Sequence, residues 1–573
     1  MNRISIWMLL FMLLFSSAAY SAPPPPASSA NESFVQQVDL TPLDAIAVWE
    51  NNRLKSFGSF ARSMMQHVTG SRPINGQTGP FTYLDIVFQP QKYEDVPVIY
   101  VKKKPMRAAI INAALSSGAD HEELDEFMET GLLRPALLRR AEVARLLDNM
   151  RTDVLRFAKP VDAISGAMSL LRPGVLRNQL FLVPPLSGKF EDPWQTLDAY
   201  EAAFARTDPA AASNDYMVNQ WNALGSAWVA GDAEAVNAAI SNLGSYIPSI
   251  SRSVFGDYPS ESRLRLEGMY FKMKSFTWVW MVYLAAIILL LMGLTYRWRT
   301  ASWCGLGMFL IALSLHTIAI MLRWYVASRW PNTNMFEAVT TSTWFGCCFA
   351  VLMEILLRHT RMRTLFALSA SLAAMFALMA ASFMPLHLSP HISNKMPVLH
   401  DVWLYIHTNV IIFSYVLIFL ASVSAILYLL LRGWRRIHGG EGIREHVGSG
   451  GVGSLIIRRR GGEAALLDKR TSFGAVLDGT TMILVELSFI LLWAGLVMGA
   501  IWADHSWGRP WGWDPKEVFA MNTFLIYAML VHVRWKSADK GFWTALLAVI
   551  GCIVMLFNWI VINFTISGLH SYA

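Results

Sequence analysis

Residues 404–431 read LYIHTNVIIFSYVLIFLASVSAILYLLL, without one Asp, Glu, Lys or Arg. As an α-helix rising about 1.5 Å per residue, this stretch is about 42 Å long, more than the roughly 30 Å of a bilayer's hydrocarbon core. It therefore reads as a membrane-spanning helix. Working outward, comparable apolar runs cover roughly 277–296, 302–322, 337–357 and 364–384 before it, and 479–501, 516–535 and 541–563 after it, for eight spans. Residues 23–275 carry no such run. The whole chain of 573 residues is 54% hydrophobic and 16% charged, where soluble proteins average about one quarter charged. An ordinary soluble enzyme, a disordered chain and a collagen-like chain are all excluded.

The N-terminus, MNRISIWMLLFMLLFSSAAYSA, places Arg3 before an apolar run and small residues. This pattern is that of a secretory signal over 1–22, cleaved near Ala19 to Ala22, with a retained anchor as the alternative. A Pro-rich linker follows at 23–30 and an exported domain at 31–275. The first span then runs from outside to inside and the others alternate. Loop charge agrees: the inner loops hold 17 Lys/Arg and the outer loops between spans hold five, an excess on the cytoplasmic side. Lys272 and Lys274 run against it. The formal charge of +7 thus calls for no nucleic acid. The localisation it implies is a bacterial inner membrane, with the N-terminal domain and the C-terminus outside the cytoplasm.

In the exported domain, His121–Met150 and Ala211–Leu243 have helical apolar spacing, and Phe81–Val101 has room for short strands. His67 and His121 are isolated, with no ligand-like spacing. The four cysteines, Cys304, Cys347, Cys348 and Cys552, all lie in apolar runs without a CxxC. They read as buried structural thiols, and the exported domain as free of disulfides. The Gly- and Arg-rich segment 433–478 reads as a flexible cytoplasmic insertion, so His438 and His446 within it are solvated.

Ahead of the seventh span lies Trp502-Ala-Asp-His-Ser-Trp507-Gly-Arg-Pro-Trp511-Gly-Trp513-Asp514-Pro515-Lys516-Glu517. Four indoles broken by Gly508, Pro510 and Gly512 exceed what an interfacial aromatic belt requires. They read as a loop offering a flat apolar surface to a large planar ligand. Asp514, Pro515 and Glu517 suit the N-cap, N1 and N3 of the next helix, so capping is the first duty of both acids. His407, in the first turn of the fifth span, and His570, after the eighth, fall on the same side as the indoles and suit an axial pair for haem iron. His532 lies about 26 Å inward along the seventh span, and His316 about 21 Å from the inner face in the second. Their unequal depths make them a poor coaxial pair. His532 is a functional candidate as an ionisable group within a span, and His316 suits a hydrogen bond to a neighbouring helix.

The run from Trp507 to Glu517 resembles the tryptophan-rich WWD signature of haem-handling cytochrome c biogenesis proteins, and eight spans with the signature before the seventh resemble the CcsA/ResC type of system II. CcmC and CcmF share the signature but differ in span number. Trp403-Leu-Tyr-Ile-His407 with Ser414-Tyr415, Leu530-Val-His532-Val-Arg534-Trp535 and Ser567-Gly568-Leu569-His570-Ser571-Tyr572 resemble the family's histidine motifs. Arg323-Trp324 with Asn334-Met-Phe-Glu337 resembles a further stretch, Phe336 standing where the family has Tyr. The resemblance covers 276–573 and not the exported domain or the insertion.

It implies an all-α polytopic membrane protein that is part of a cytochrome c haem-lyase or synthase complex. Haem b would rest at Trp507, Gly508, Trp511, Trp513, Asp514 and Glu517, with His407 and His570 on the iron and His532 on the route from the inner side. His316 and Arg509 are further candidates. Implied partners are apocytochrome c, a CcsB/ResB-type membrane protein and a thioredoxin-like thiol reductase. The rival readings are a b-type electron-transfer protein and a non-enzymatic haem transporter or assembly scaffold.

Overall fold

A computed structural model describes residues 34–562 apart from 51–52, 71, 117, 119, 154–155, 186–191, 208–214, 255, 257, 359–361, 385–387, 393–400 and 439–471. The expected signal and linker, His570 with its motif, and most of the 433–478 insertion lie outside the described residues. The chain divides into two units, Met1–Gly268 and Met269–Ala573.

The first unit is mainly helical. Local signals set its helix ends. Asp215 accepts hydrogen bonds from the Met217 and Val218 amides to start Tyr216–Ala230, and Gly231, at φ 72°, ends it before Ala233–Val254 begins. Asp120 and Gly131 likewise bracket His121–Thr130, and Ala141–Arg151 follows. These helices fall where the periodicity puts them. Phe81–Val101 meets its expectation only in part. Its first half belongs to a helix, Gly79–Phe88, with Pro80 in its first turn, and only Ile99–Tyr100 is a strand, paired with Leu132–Leu133. The apolar run is buried on all sides, so it shows no period by which to choose. A small antiparallel sheet orders Arg53–Ser56, Ala47–Glu50, Phe181–Val183 and Gln195–Thr196. In the core, Asp85 accepts hydrogen bonds from Trp228 Nε1 at 2.9 Å, Tyr93 Oη at 2.7 Å and Lys92 Nζ at 2.9 Å. Burial and the Asp85 carboxylate push the Tyr93 phenol well up.

Among its described residues the second unit has eight helices long and apolar enough to cross a membrane: Lys274–Tyr296, Arg299–Ala327, Met335–Leu356, Leu365–Phe383, Val402–Ile437, Phe473–Trp507, Pro515–Lys536 and Lys540–Ile562. Consecutive spans pack in pairs, most extensively the fifth along the sixth. Large apolar side chains such as Ile311, Leu352, Ile490 and Ile553 stay exposed on the outside of the unit, as a lipid-facing surface requires.

Several span ends differ from expectation. The sixth helix begins at Phe473, capped by Ser472, and runs on to Trp507. No breaker precedes Gly508, so Asp504 and His505 do not stop it. Trp502 and Trp507 are therefore helical, not on a loop, and Asp478 belongs to the span. The fifth helix starts at Val402, capped by Asp401, which puts His407 in its second turn instead of its first.

Candidate functional site

The second unit has two recognisable ends. One carries the indoles; the other carries Arg432 and Arg534. At the indole end a cavity of about 270 Å³ lies between the fifth, sixth, seventh and eighth spans and the segment before the third. His407, Tyr415, Trp502, Trp511, Asn558 and Trp559 are among its walls.

His407 is fixed from the sixth span. Its Nδ1 donates to Gly495 O at 2.7 Å. A carbonyl can only accept, so a proton sits on Nδ1, and whenever the ring is neutral its lone pair is on Nε2. This is how proteins orient metal-ligating imidazoles. The ring fits only because Gly499 has no side chain: a Cβ there would stand 2.6 Å from His407 Cε1. A Cβ at Gly495 would stand 2.5 Å from Ile411 Cδ1. Gly495-Leu-Val-Met-Gly499 is a GxxxG pair that brings two helices close. The reading of the sequence passed over it, although the spacing was there to find.

The indoles do not form one flat sheet. Trp502 and Trp507 meet edge to face at 4.8 Å, as do Trp511 and Trp513 at 6.1 Å. Trp502 and Trp511 line the cavity; Trp507 and Trp513 do not appear on its walls, and Trp513, at φ 55°, is 72% exposed. Gly508 ends the sixth helix at φ 69°, its N–H donating to Asp504 O at 2.8 Å. Arg509 is exposed. Asp514 and Glu517 form a capping box on the seventh helix. Glu517 Oε2 accepts from the amides of Gly512 at 2.9 Å and Asp514 at 3.1 Å, and Asp514 Oδ2 from that of Lys516 at 3.2 Å. Both acids thus serve the turn that presents Trp511.

The opposite wall rests on a buried ion network. Glu337, fully buried, accepts from Arg323 Nε at 2.9 Å, Arg329 Nη1 at 2.8 Å and the Thr333 amide at 2.7 Å. Arg323 also donates to Pro390 O and His391 O, and lies over the Phe336 ring. Asn334 Oδ1 caps the third span and its Nδ2 donates to His391 O. Trp330 Nε1 and Asn332 Nδ2 then reach the fifth span at Asn409 and Thr408. Arg323, Asn334 and Glu337 are thus the frame of the 329–335 wall.

The other histidines stand apart. His316 is buried against Tyr283, whose hydroxyl is 3.3 Å from its Nδ1. That is the neighbouring-helix bond its position suggests. His532 is exposed, its Nδ1 bonded to Ala528 O of its own helix at 2.7 Å. Two residues on, Arg534 is buried. It is held by both oxygens of Asp478 at 2.8 Å and by Thr544 Oγ1 at 2.7 Å.

A polytopic helical membrane protein with an indole-lined cavity around one anchored imidazole is the class defined so far. Residues 333–570 match the family described as Cytochrome C assembly protein. The CcsA cytochrome c biogenesis protein of Parasynechococcus marenigrum is 30% identical over 295 residues, covering 50% of this chain and 93% of that protein. The CcsA of Pyropia yezoensis is 28% identical over 309 residues, 49% of this chain and 93% of the relative. Protein NrfI of Wolinella succinogenes is 27% identical over 542 residues, 91% of this chain and 53% of that longer protein. The chain belongs to the CcsA/ResC-type cytochrome c biogenesis family.

Proposed function

We propose that this chain is the haem-presenting subunit of a bacterial cytochrome c synthase, holding haem b at the indole end and offering it to apocytochrome c. The observation that carries the reading is His407, its Nδ1 bonded to Gly495 O and its ring against a wall that only glycine permits, inside a cavity bounded by indoles. A fixed neutral imidazole is an iron ligand ready made. Trp502, Trp511 and Trp559 supply aromatic area, and the capping box holds Trp511 in place.

When bound, haem supplies the vinyl groups across which the Cys-x-x-Cys-His thiols of the apocytochrome add. His407 would hold the iron from the cavity side and His570 would complete the pair. His532 would meet haem on its way from the cytoplasmic side. The chain's contribution is position, not acid–base chemistry. In this reading the indole end faces outward from the bacterial inner membrane. A ResB-type partner completes the complex, and a thioredoxin-like thiol reductase keeps the apocytochrome thiols reduced. An electron-transfer cytochrome b is disfavoured, since His316 is engaged with Tyr283 and His532 is exposed on another helix.

The test is a pyridine haemochrome spectrum of the purified chain, followed by co-expression with the partner and an apocytochrome in a host lacking its own pathway. The expected results are a b-type spectrum and covalent cytochrome c. No haem would refute the reading; haem without cytochrome c would favour a carrier.

A further inference from the structure

The eighth span ends in a π-helical turn, Phe557–Ile562. Such turns are rare and collect at functional sites. Asn558, on this turn, is a cavity wall residue and only 4% exposed. Its Nδ2 donates to Tyr415 Oη at 3.0 Å and, more weakly, to Lys516 O at 3.4 Å. The second partner is a carbonyl, which can only accept, so the amide's orientation is set. Asn558 Oδ1 is buried and meets no donor among the described residues. Tyr415, also buried and on the cavity wall, accepts from Asn558 through its oxygen. Its proton has no acceptor recorded among the described residues. A buried acceptor left unpaired costs about 1–3 kcal/mol, and native interiors rarely keep one without a reason.

One acceptor and one donor, side by side in the cavity wall, are the complement of a neutral carboxylic acid, which offers one O–H and one C=O. They are not the complement of a carboxylate, whose second oxygen would face Asn558 Oδ1. Tyr415 lies eight residues beyond His407 on the same helix, about 12 Å further into the bundle, where an ionised carboxylate would be expensive. We propose that Tyr415 and Asn558 form a subsite for a protonated carboxylic acid, taken by one propionic acid arm of the porphyrin whose iron His407 holds. The pair fixes which edge of the macrocycle lies deep and so which edge, with its vinyl groups, is left for the apocytochrome. This rests on the haem reading above.

The test uses the full chain, purified in detergent and stripped of haem, titrated by Soret absorbance with haem and with haem dimethyl ester. The ester keeps the iron and the ring but removes the acid proton. One hydrogen bond is at stake, from the acid O–H to Asn558 Oδ1, because the ester carbonyl still accepts from Tyr415; the native chain is expected to prefer haem several-fold, up to about tenfold. Tyr415→Phe should weaken haem and its ester alike by several-fold, and Asn558→Leu should cut the preference several-fold, while the iron keeps its His407-dependent spectrum in both. A preference near one in the native chain, a preference unchanged in Asn558→Leu, or a Tyr415→Phe chain that binds both porphyrins as tightly as the native chain overturns the subsite. If an excess of oleic acid displaces haem from the native chain but not from the variants, the pair serves a lipid carboxyl and the porphyrin assignment fails. Failure of the native chain to bind either porphyrin refutes the haem reading itself, and the subsite with it.

Discussion

Each end of the membrane unit buries arginine against carboxylate, yet the two ends use the pairing differently. At the arginine end, Arg534 is gripped by Asp478 and Thr544, and Arg432 reaches Asp539 at 2.5 Å and lies over the Phe542 ring. These bonds tie the fifth to eighth spans directly to one another. At the indole end, Glu337 binds two arginines, but what they support is a wall, and beyond the wall is a cavity with His407, Tyr415 and Asn558. Charge in a span therefore does not mark the ligand site. In the proposed reading, the mark is a buried acceptor without a donor among the described residues, Asn558 Oδ1.

The contrast would break most completely if both ends faced the same compartment. An alkaline phosphatase fusion after Tyr572 should be fully active, and one within the loop after Arg470 inactive. The reverse pattern would turn the molecule over.

Next in size are the ion pairs. Removing one partner of a buried pair costs about 3–5 kcal/mol because the other charge is stranded. Glu337→Ala and Arg534→Ala should therefore both lower the thermal unfolding midpoint in detergent by a similar amount. Where they should differ is in haem: Arg534→Ala protein that survives should hold haem normally, while Glu337→Ala protein should not. Equal haem content in both would remove the distinction between wall and clamp.

A smaller change separates the cavity from the general packing of glycines. Gly499→Ala puts a methyl group against the His407 ring, whereas a Cβ at Gly307 would meet nothing within 4 Å. Haem content should fall several-fold in the first and stay level in the second. Smaller still is the comparison within the signature. Trp511→Ala deletes cavity wall and should weaken haem retention, while Trp513→Ala changes a mostly exposed ring and should matter less. Equal losses would restore the single flat surface that the sequence suggests.

The spans were legible because length and hydropathy are properties of a window. So was the capping box, whose residue types at N-cap, N1 and N3 serve one backbone geometry. What escaped reading depends on neighbours distant in sequence. Trp502 reads as loop because Gly508, Pro510 and Gly512 break the run of indoles, yet all three lie beyond Trp507, where the helix ends at its Gly508 cap. Arg534 passed for one more cytoplasmic charge, since nothing local reveals Asp478 beside it. Gly499 matters only because His407 lies opposite. Asn558 is an ordinary residue in an apolar run until a π turn sets it beside Tyr415.

The central claim is that His407 binds iron, and one measurement addresses it directly. The visible spectrum of the purified His407→Gly chain should be recorded before and after adding imidazole. The account predicts that haem is lost or its low-spin spectrum collapses, and that imidazole restores both by filling the gap beside the iron. A His407→Gly chain with the native haem content and spectrum, indifferent to imidazole, would contradict it.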